Sequence, residues 1–219
     1  MTKERGMFNY KEIILCGGGD IIAGELKELD SQVIKSSENK KILVLDLTTN
    51  NPKKINKYNL FLKKYFLNLG ATEIKFISDF SKEKNTDFNE FGIIYLPGGN
   101  PITLLENLIE KKVDLRFFRG ILFGNSAGAL VLSKNLIVTK DKNFPKTFIR
   151  KGLGIIPFSV EVHYNSSKDL ELEKIKLRED IYAIPEKDFI KINQSKVFLG
   201  KNIKVFRGDE NTNENLMDR

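Results

Sequence analysis

Ser126 lies in a run of small residues, Gly124-Asn125-Ser126-Ala127-Gly128, at the end of the apolar segment 120–124. This run fits the pattern G-x-S-x-G, in which the serine occupies a sharp strand-to-helix turn with strained dihedral angles and small neighbours. The turn places the hydroxyl at the N-terminus of the next helix, where the helix dipole and free N–H groups favour negative charge. The pattern predicts that Ser126 is a nucleophile and that the Ala127 N–H lies in an oxyanion hole. A small-residue turn without chemistry is the alternative.

A serine nucleophile needs a general base, and the chain contains one histidine, His163. His163 ends an apolar segment and precedes a polar loop, which is where functional residues collect. If Ser126 is a nucleophile, His163 is the only imidazole that can serve it. Replacement of His163 is therefore expected to abolish the activity.

The base in turn needs a carboxylate that orients it. Two residues are candidates: Glu186, in the turn of YAIPEKDFIK, and Asp141, which follows Ser126 by 15 residues. Carboxylates in exposed turns are usually ordinary surface residues, so the position of these two in the sequence leaves both assignments open.

Gly98, Gly99 and Asn100 follow another apolar segment, 92–96. Glycine after a buried strand lets a backbone N–H approach a ligand closely. We expect the Gly99 N–H to pair with the Ala127 N–H in the oxyanion hole, which stabilises a transition state typically by a few kcal/mol. A plain strand-to-helix turn is the alternative.

Apolar segments alternate with amphipathic helices along the first part of the chain. Strands are predicted at 12–16, 41–48, 72–78, 92–99 and 120–124, and helices at 22–35, from Pro52 to Gly70 and at 102–111. This order predicts an α/β fold with a mostly parallel sheet covered by helices on both faces. Open sheets of this kind bind ligands at the carboxyl ends of their strands, where Ser126 is expected to lie.

Shorter strands are predicted in the second part of the chain. They lie at 155–162, 181–184, 188–192, 196–199 and 203–206, with one helix near 169–180. These strands are expected to extend the sheet or to form a small antiparallel layer. We predict one domain over residues 1–206 and a disordered tail over 207–219, which has almost no apolar residues.

Composition excludes several classes of protein. The net charge is +7, but the lysines are spread along the chain and form no basic stripe, so no nucleic-acid partner is expected. No segment approaches the roughly 18 apolar residues of a membrane helix, and MTKERGMFNY lacks the apolar core of a secretory signal. The single cysteine, Cys16, suits the reducing cytoplasm.

No cofactor is expected either. The sequence has no cluster of cysteine and histidine for a metal site. Cys16-Gly17-Gly18-Gly19 resembles a nucleotide-binding turn, but Ile22 stands where G-x-G-x-x-G requires its last glycine.

Four segments together resemble peptidase family S51, the group that contains aspartyl dipeptidase (dipeptidase E) and cyanophycinase. The resemblance covers about residues 12–206. The matching segments are LPGGNPITLLENL (96–108), GNSAGA (124–129), GLGIIP with HY (152–164) and AIPE (183–186). The resemblance implies a three-layer α/β sandwich like that of class I glutamine amidotransferases and flavodoxin, with serine in place of cysteine at the turn and no cofactor.

The resemblance also implies roles for individual residues. It carries a Ser-His-Glu triad onto Ser126, His163 and Glu186, while Asp141 matches another acidic position assigned to the charge relay. Glu186 is preferred, because it follows a strand end in the matching motif, and Asp141 stays open. The residues implied to bind substrate are Gly98, Asn100, Asn125 and Tyr164.

Two departures concern specificity. Pro101 follows Asn100 where relatives have threonine. The α-aspartyl dipeptidases hold the acidic side chain of the substrate with an arginine after the catalytic histidine, and Glu171 aligns with that arginine here. Other cations that could replace it are Lys168, Lys174 and Arg178.

The resulting hypothesis is a serine peptidase that hydrolyses small peptides through an acyl-enzyme. The alternatives are an esterase or amidase that uses the same triad, and a catalytically silent module that binds a small molecule. The sequence leaves substrate specificity and oligomeric state open, including a homodimer.

Overall fold

The computed structural model describes residues 10–78, 86–175, 177–193, 196–209 and 212. Within them, the larger sheet has seven strands, in the spatial order β11 (Lys196–Leu199), β10 (Phe189–Asn193), β1 (Glu12–Cys16), β5 (Ile121–Asn125), β4 (Ile93–Leu96), β2 (Lys41–Leu45) and β3 (Glu73–Ile77). The smaller sheet has five, in the order β12 (Lys204–Phe206), β9 (Ile181–Ala183), β8 (Ser159–Glu161), β6 (Asn135–Val138) and β7 (Phe148–Lys151). The helices are α1 (Lys27–Ser36), α2 (Pro52–Asn68), α3 (Pro101–Glu110), α4 (Ala127–Leu132) and α5 (Asp169–Lys174).

The parallel strands of the larger sheet end level with one another. Cys16 of β1 pairs with Asn125 of β5, and Leu96 of β4 pairs with Gly124 of β5. The loops after these three strands therefore meet at one edge of the sheet, which is the usual place for ligands in such folds. β10 joins β1 from the other side in antiparallel orientation.

Both faces of the larger sheet are covered. Ile14 and Cys16 of β1 pack with α1 and α2 on one face, whereas Ile13 and Leu15 pack with α3, α4 and the smaller sheet on the other. Successive residues of a strand point to opposite faces, so a strand buried on both faces is expected to be apolar throughout, as β1 is from Ile13 to Cys16. The predicted α/β sandwich is confirmed, with C-terminal strands that both extend the larger sheet and build a second one.

Helix boundaries follow from local capping. Asn51 begins α2 by accepting hydrogen bonds from the N–H groups of Lys53 and Lys54, and Gly70, with φ of 98°, follows its end. The helix predicted from residue 22 begins only at Lys27, because Asp20 Oδ1 accepts from the N–H groups of Ile22 and Ala23 and holds residues 21–26 in turns.

The sequence-based prediction was wrong for one helix and left out two strands in the second part of the chain. The helix predicted near 169–180 is α5 alone and ends at Lys174, because Ile175 is extended. Strands β6 and β7 were not predicted, since only their pairing with each other and with β8 identifies them.

The first residues of the segment 207–219 contact the smaller sheet and its loops. Arg207 lies 2.6 Å from the Asp180 carboxylate, and the Asp209 N–H donates to the Leu177 carbonyl at 2.8 Å. Apart from Thr212, the rest of this segment lies outside the described residues, so its disorder stays a prediction. None of the helices in the described part of the chain combines the length and apolar character needed to cross a membrane.

Candidate active site

Ser126 occupies the turn between β5 and α4. Its φ of 49° and ψ of −108° lie in a region that residues other than glycine rarely adopt. The Ser126 N–H donates to the Cys16 carbonyl at 2.9 Å, which ties the turn to the end of β1. Its small neighbours are required by packing: a Cβ on Gly128 would lie 2.1 Å from the Leu96 carbonyl oxygen, and a Cβ on Gly124 would lie 2.6 Å from Gly128.

His163 follows β8 and reaches Ser126. The distance between Ser126 Oγ and His163 Nε2 is 2.7 Å, within hydrogen-bonding range. His163 also has a positive φ, of 50°, and its N–H donates to the Gly17 carbonyl at 2.9 Å. The imidazole packs on Gly18, where an added Cβ would lie 2.2 Å from His163 Cε1.

Glu186 lies in the loop after β9 and reaches the other side of the ring. Its Oε1 is 3.0 Å from His163 Nδ1. The geometry suits an imidazole that donates its Nδ1–H to Glu186 and accepts the Ser126 hydroxyl proton at Nε2. The side chains of His163 and Glu186 are 45% and 54% exposed, so both are open to solvent.

The glycines after β1 hold this loop in place. A Cβ on Gly17 would lie 2.1 Å from the Pro185 carbonyl oxygen, and the Lys187 N–H donates to the Gly18 carbonyl at 2.8 Å. The glycines considered above for nucleotide binding therefore pack against the loops that carry His163 and Glu186.

Asp141 does not reach His163. Its Oδ1 accepts hydrogen bonds from the N–H groups of Asn143 and Phe144, at 2.6 and 2.8 Å, and so stabilises its own turn. Of the two carboxylates left open by the sequence, the structure brings only Glu186 into hydrogen-bonding distance of the imidazole.

The loop after β4 lies against the serine. A Cβ on Gly98 would contact Ser126 Cβ at 3.5 Å, and Gly99, with φ of 139°, packs on Thr48. Asn100 caps α3, its Oδ1 accepting from the Ile102 N–H at 2.9 Å. The loop is thus fixed between a helix cap and the nucleophile candidate.

Two other predicted substrate-binding residues have partners inside the protein. Asn125 is buried and donates to the Tyr95 hydroxyl at 3.2 Å. Tyr164 donates to Asp169 at 2.6 Å. Their role in binding substrate, like those of Gly98 and Asn100, stays a prediction.

A cavity of about 90 Å³ adjoins the serine and the histidine. We call it the serine pocket. Its lining includes Gly99, Ser126, Ala127, Thr139, Asp141, Phe144, Glu161, His163 and Lys168.

Glu161 and Thr139 are residues of the serine pocket that the sequence reasoning missed. Glu161 Oε1 accepts from Thr139 Oγ1 at 2.6 Å and from Lys168 Nζ. Burial raises the pKa of Glu161 above its usual value, although Lys168 opposes the shift. The sequence signal that could have identified Glu161 is its position as a charged residue inside the mostly apolar segment GIIPFSVEVH, two residues before His163.

A second, larger cavity of about 560 Å³ lies on the other side of Gly98 and Gly99, beyond the ends of β2 and β4. Asp46 lines it and is buried. Burial raises the pKa of the Asp46 carboxyl to about 6, and a hydrogen bond from Thr48 partly offsets this shift. Within the described part of the chain, no group of three or more histidine, cysteine or acidic side chains is placed to hold a metal ion.

Comparisons with known proteins identify the family. The model of peptidase family S51 matches residues 13–200. A Drosophila melanogaster protein named "Probable alpha-aspartyl dipeptidase" is 25% identical over 154 residues, which are 60% of this chain and 63% of that protein. The chain thus aligns with less than two thirds of this relative.

Two solved structures share the fold. A peptidase from an acI-B1 Actinobacterium has a TM-score of 0.62 and 20% identity, covering 91% of this chain and 95% of its own. A protein from Listeria monocytogenes EGD-e that is named after peptidase E has a TM-score of 0.60 and 21% identity, covering 91% and 99%. At these identities the likeness concerns the fold alone, whereas the family model spans most of the sequence. The chain therefore belongs to peptidase family S51.

Proposed function

We propose that this protein is a serine peptidase that hydrolyses small peptides through a Ser126-His163-Glu186 triad. The observation that carries the proposal is the 2.7 Å distance between Ser126 Oγ and His163 Nε2, with Glu186 on the far side of the ring. A hydroxyl, a base within hydrogen-bonding reach and a group that orients the base are the parts of an activated nucleophile. Membership of a peptidase family supports the same class of reaction.

The reaction proceeds in two halves. His163 Nε2 takes the Ser126 proton as Oγ attacks the carbonyl carbon of the peptide bond, and the resulting oxyanion accepts hydrogen bonds from the N–H groups of Gly99 and Ala127. The C–N bond then breaks, and His163 gives its proton to the leaving amine. Water attacks the acyl-enzyme ester with His163 as base, which releases the acid and returns the proton to Ser126.

Glu186 orients the imidazole throughout the reaction. It holds the imidazole in the tautomer that presents an unprotonated Nε2 to the serine, and it stabilises the imidazolium formed in each half. Its exposure places this interaction in a wet environment, where each electrostatic contribution is smaller than in a buried triad.

The test is a panel of dipeptides and short acyl esters given to the wild type and to Ser126→Ala. We expect hydrolysis of peptides by the wild type and a loss of about 10⁴-fold or more in kcat for the variant. Hydrolysis of esters alone would assign an esterase or amidase instead. Binding of peptides without turnover by the wild type would assign a silent module.

We also infer that the protein works in the cytoplasm. Cys16 is the only cysteine of the sequence and is buried, so no intramolecular disulfide contributes to stability.

For the oligomeric state we infer a homodimer formed through β11. This strand ends the larger sheet and exposes 42% of Val197, 52% of Phe198 and 46% of Leu199. An apolar edge strand is suited to pairing with a second copy. Light scattering after gel filtration should give a dimer for the wild type and a monomer for Phe198→Lys, and a monomeric wild type would reject this inference.

A further inference from the structure

The serine pocket contains a charged pair that the triad does not use. Glu161 is 2% exposed and accepts a hydrogen bond from the Lys168 ammonium. The same ammonium donates to the Val162 carbonyl at 3.0 Å. Both residues line the pocket together with Ser126 and His163. A substrate side chain that enters the pocket must therefore meet this pair.

The positive charge of Lys168 is already balanced. Its two contacts account for two of the three N–H groups of the ammonium and place the Glu161 carboxylate directly beside it. An acidic side chain in the pocket would face Glu161 as well as Lys168, and like charges at close range in a buried site repel strongly. The pocket is therefore poorly suited to aspartate.

Glu161 also has an unused acceptor. Its Oε1 receives hydrogen bonds from Thr139 and Lys168, whereas Oε2 is buried without a hydrogen-bond partner among the described residues. A buried acceptor without a partner is costly, and a ligand that supplies a donor there recovers that cost. Glu161, whose Oε2 lacks a partner, and Lys168, which has a third N–H, both belong to the lining of the serine pocket.

We propose, on the basis of the function proposed above, that the serine pocket selects peptides whose N-terminal residue carries a carboxamide, with asparagine the best fit. A carboxamide has a donor and an acceptor side by side and no charge, which matches Glu161 Oε2 and the Lys168 ammonium. The pocket volume of about 90 Å³ equals that of about three water molecules, which suits a short side chain. The carbonyl that is attacked in a dipeptide belongs to its N-terminal residue. Because the proposed oxyanion donors Gly99 and Ala127 line the same pocket, the side chain of the N-terminal residue is the one that enters it.

Glu171 and Arg178, which lie near the sequence position of the family's arginine, do not change the charge balance between Glu161 and Lys168 in the serine pocket. Glu171 lies outside the lining of the serine pocket, and its Oε1 accepts from the Lys140 N–H at 3.4 Å. Arg178 donates from Nε to the Thr212 carbonyl at 2.7 Å. Lys168 is therefore the cation that a substrate meets in this pocket.

The first experiment measures binding, so that it does not depend on turnover. Calorimetric titration of Ser126→Ala with Asn-Leu, Asp-Leu and Leu-Leu compares three side chains of similar size. We expect Asn-Leu to bind at least about tenfold more tightly than the other two, because only the carboxamide satisfies both groups. Equal or tighter binding of Asp-Leu or Leu-Leu, or no binding of Asn-Leu at millimolar concentration, would overturn the proposal.

The second experiment changes the charge balance. Glu161→Gln, made in the Ser126→Ala protein, leaves the Lys168 charge uncompensated and should reverse the preference in favour of Asp-Leu by about tenfold or more. The matched control is Glu12→Gln, since Glu12 is also buried and paired with a lysine, Lys191, at 2.6 Å, but lies at the opposite end of β1. An unchanged ranking in Glu161→Gln, or the same reversal in Glu12→Gln, would reject the role of Glu161.

These outcomes are separable from those of the proposed function. Failure of the wild type to hydrolyse any peptide rejects the peptidase assignment, whereas the ranking of ligands by Ser126→Ala decides the specificity. If Glu161→Gln does not fold, as judged by circular dichroism, the titrations of Ser126→Ala alone decide it.

Discussion

Gly18 and His163 are in direct contact, and a side chain at position 18 would collide with the imidazole where it now lies. A Cβ added to Gly18 would lie 2.2 Å from His163 Cε1 and 2.8 Å from Nδ1, and the φ of Gly18 is 107°. The loop after β1 thus fixes the orientation of the imidazole from a distant part of the sequence.

Gly18→Ala should therefore displace the ring and lower kcat by about 100-fold, the loss typical of a misplacement of about 1 Å. The control is Gly24→Ala, because Gly24 also has a positive φ, of 79°, but no described atom lies within 4 Å of an added Cβ. Gly24→Ala should keep its activity and lose about 1 kcal/mol or more of stability. Equal activity of the two variants would show that Gly18 does not position His163.

Glu186→Gln should lower kcat/KM by about 10² to 10⁴-fold, because the amide no longer stabilises the imidazolium or fixes the correct tautomer. Asp141→Asn should change kcat/KM by less than about threefold, since Asp141 bonds to its own turn. Steady-state kinetics on one dipeptide compares the two variants. A large loss in Asp141→Asn with little effect in Glu186→Gln would move the acid of the triad to Asp141.

Asn51 and Asn100 form a second matched pair, since each caps a helix through its side-chain oxygen. Replacement of either by alanine should lower the free energy of unfolding by about 1 kcal/mol. Only Asn100→Ala should also lower kcat/KM, because its helix follows the glycine loop beside Ser126. Urea unfolding and kinetics on both variants check this, and parallel losses of activity would count against a role for the loop.

Asp30 should make stability fall as the pH rises. It is 1% exposed, and burial raises its pKa to about 7 despite a hydrogen bond from Tyr65. Because its pKa is higher in the folded state than in the unfolded state, the folded state binds the extra proton between about pH 4 and pH 7, and stability is lost over that window. Asp46, with its pKa raised to about 6, acts in the same direction.

Asp30→Asn should remove this part of the pH dependence, since the amide cannot ionise and can still accept from Tyr65. Urea unfolding at pH 5 and pH 8 measures it. The difference in unfolding free energy between the two pH values should shrink by about 2–3 kcal/mol relative to the wild type. An unchanged difference would mean that Asp30 is ionised in the folded protein throughout this range.

The order of elements in the first part of the chain could be predicted because the central strands β2, β4 and β5 are largely apolar and α2 and α3 begin at capping asparagines. Ser126 and His163 were recognisable for local reasons: the small-residue turn identifies one, and the other is the only imidazole in the chain. The order of the strands then brings their ends to one edge of the sheet.

The remaining parts of the site depend on contacts between distant segments. Glu186 rather than Asp141 lies beside the imidazole because the loop after β9 packs on Gly17 and Gly18, and neither carboxylate reveals this packing by its neighbours in sequence. Glu161 was overlooked for the same reason, because its partners Thr139 and Lys168 come from other elements.

The central claim is that His163 activates Ser126, and covalent labelling tests it most directly. The wild type, Ser126→Ala and Ser167→Ala are incubated with a small fluorophosphonate and weighed by intact-protein mass spectrometry; Ser167 is an exposed serine of the same region. One adduct is predicted on the wild type and on Ser167→Ala, and none on Ser126→Ala. Equal labelling of the wild type and Ser126→Ala would contradict the assignment of the nucleophile.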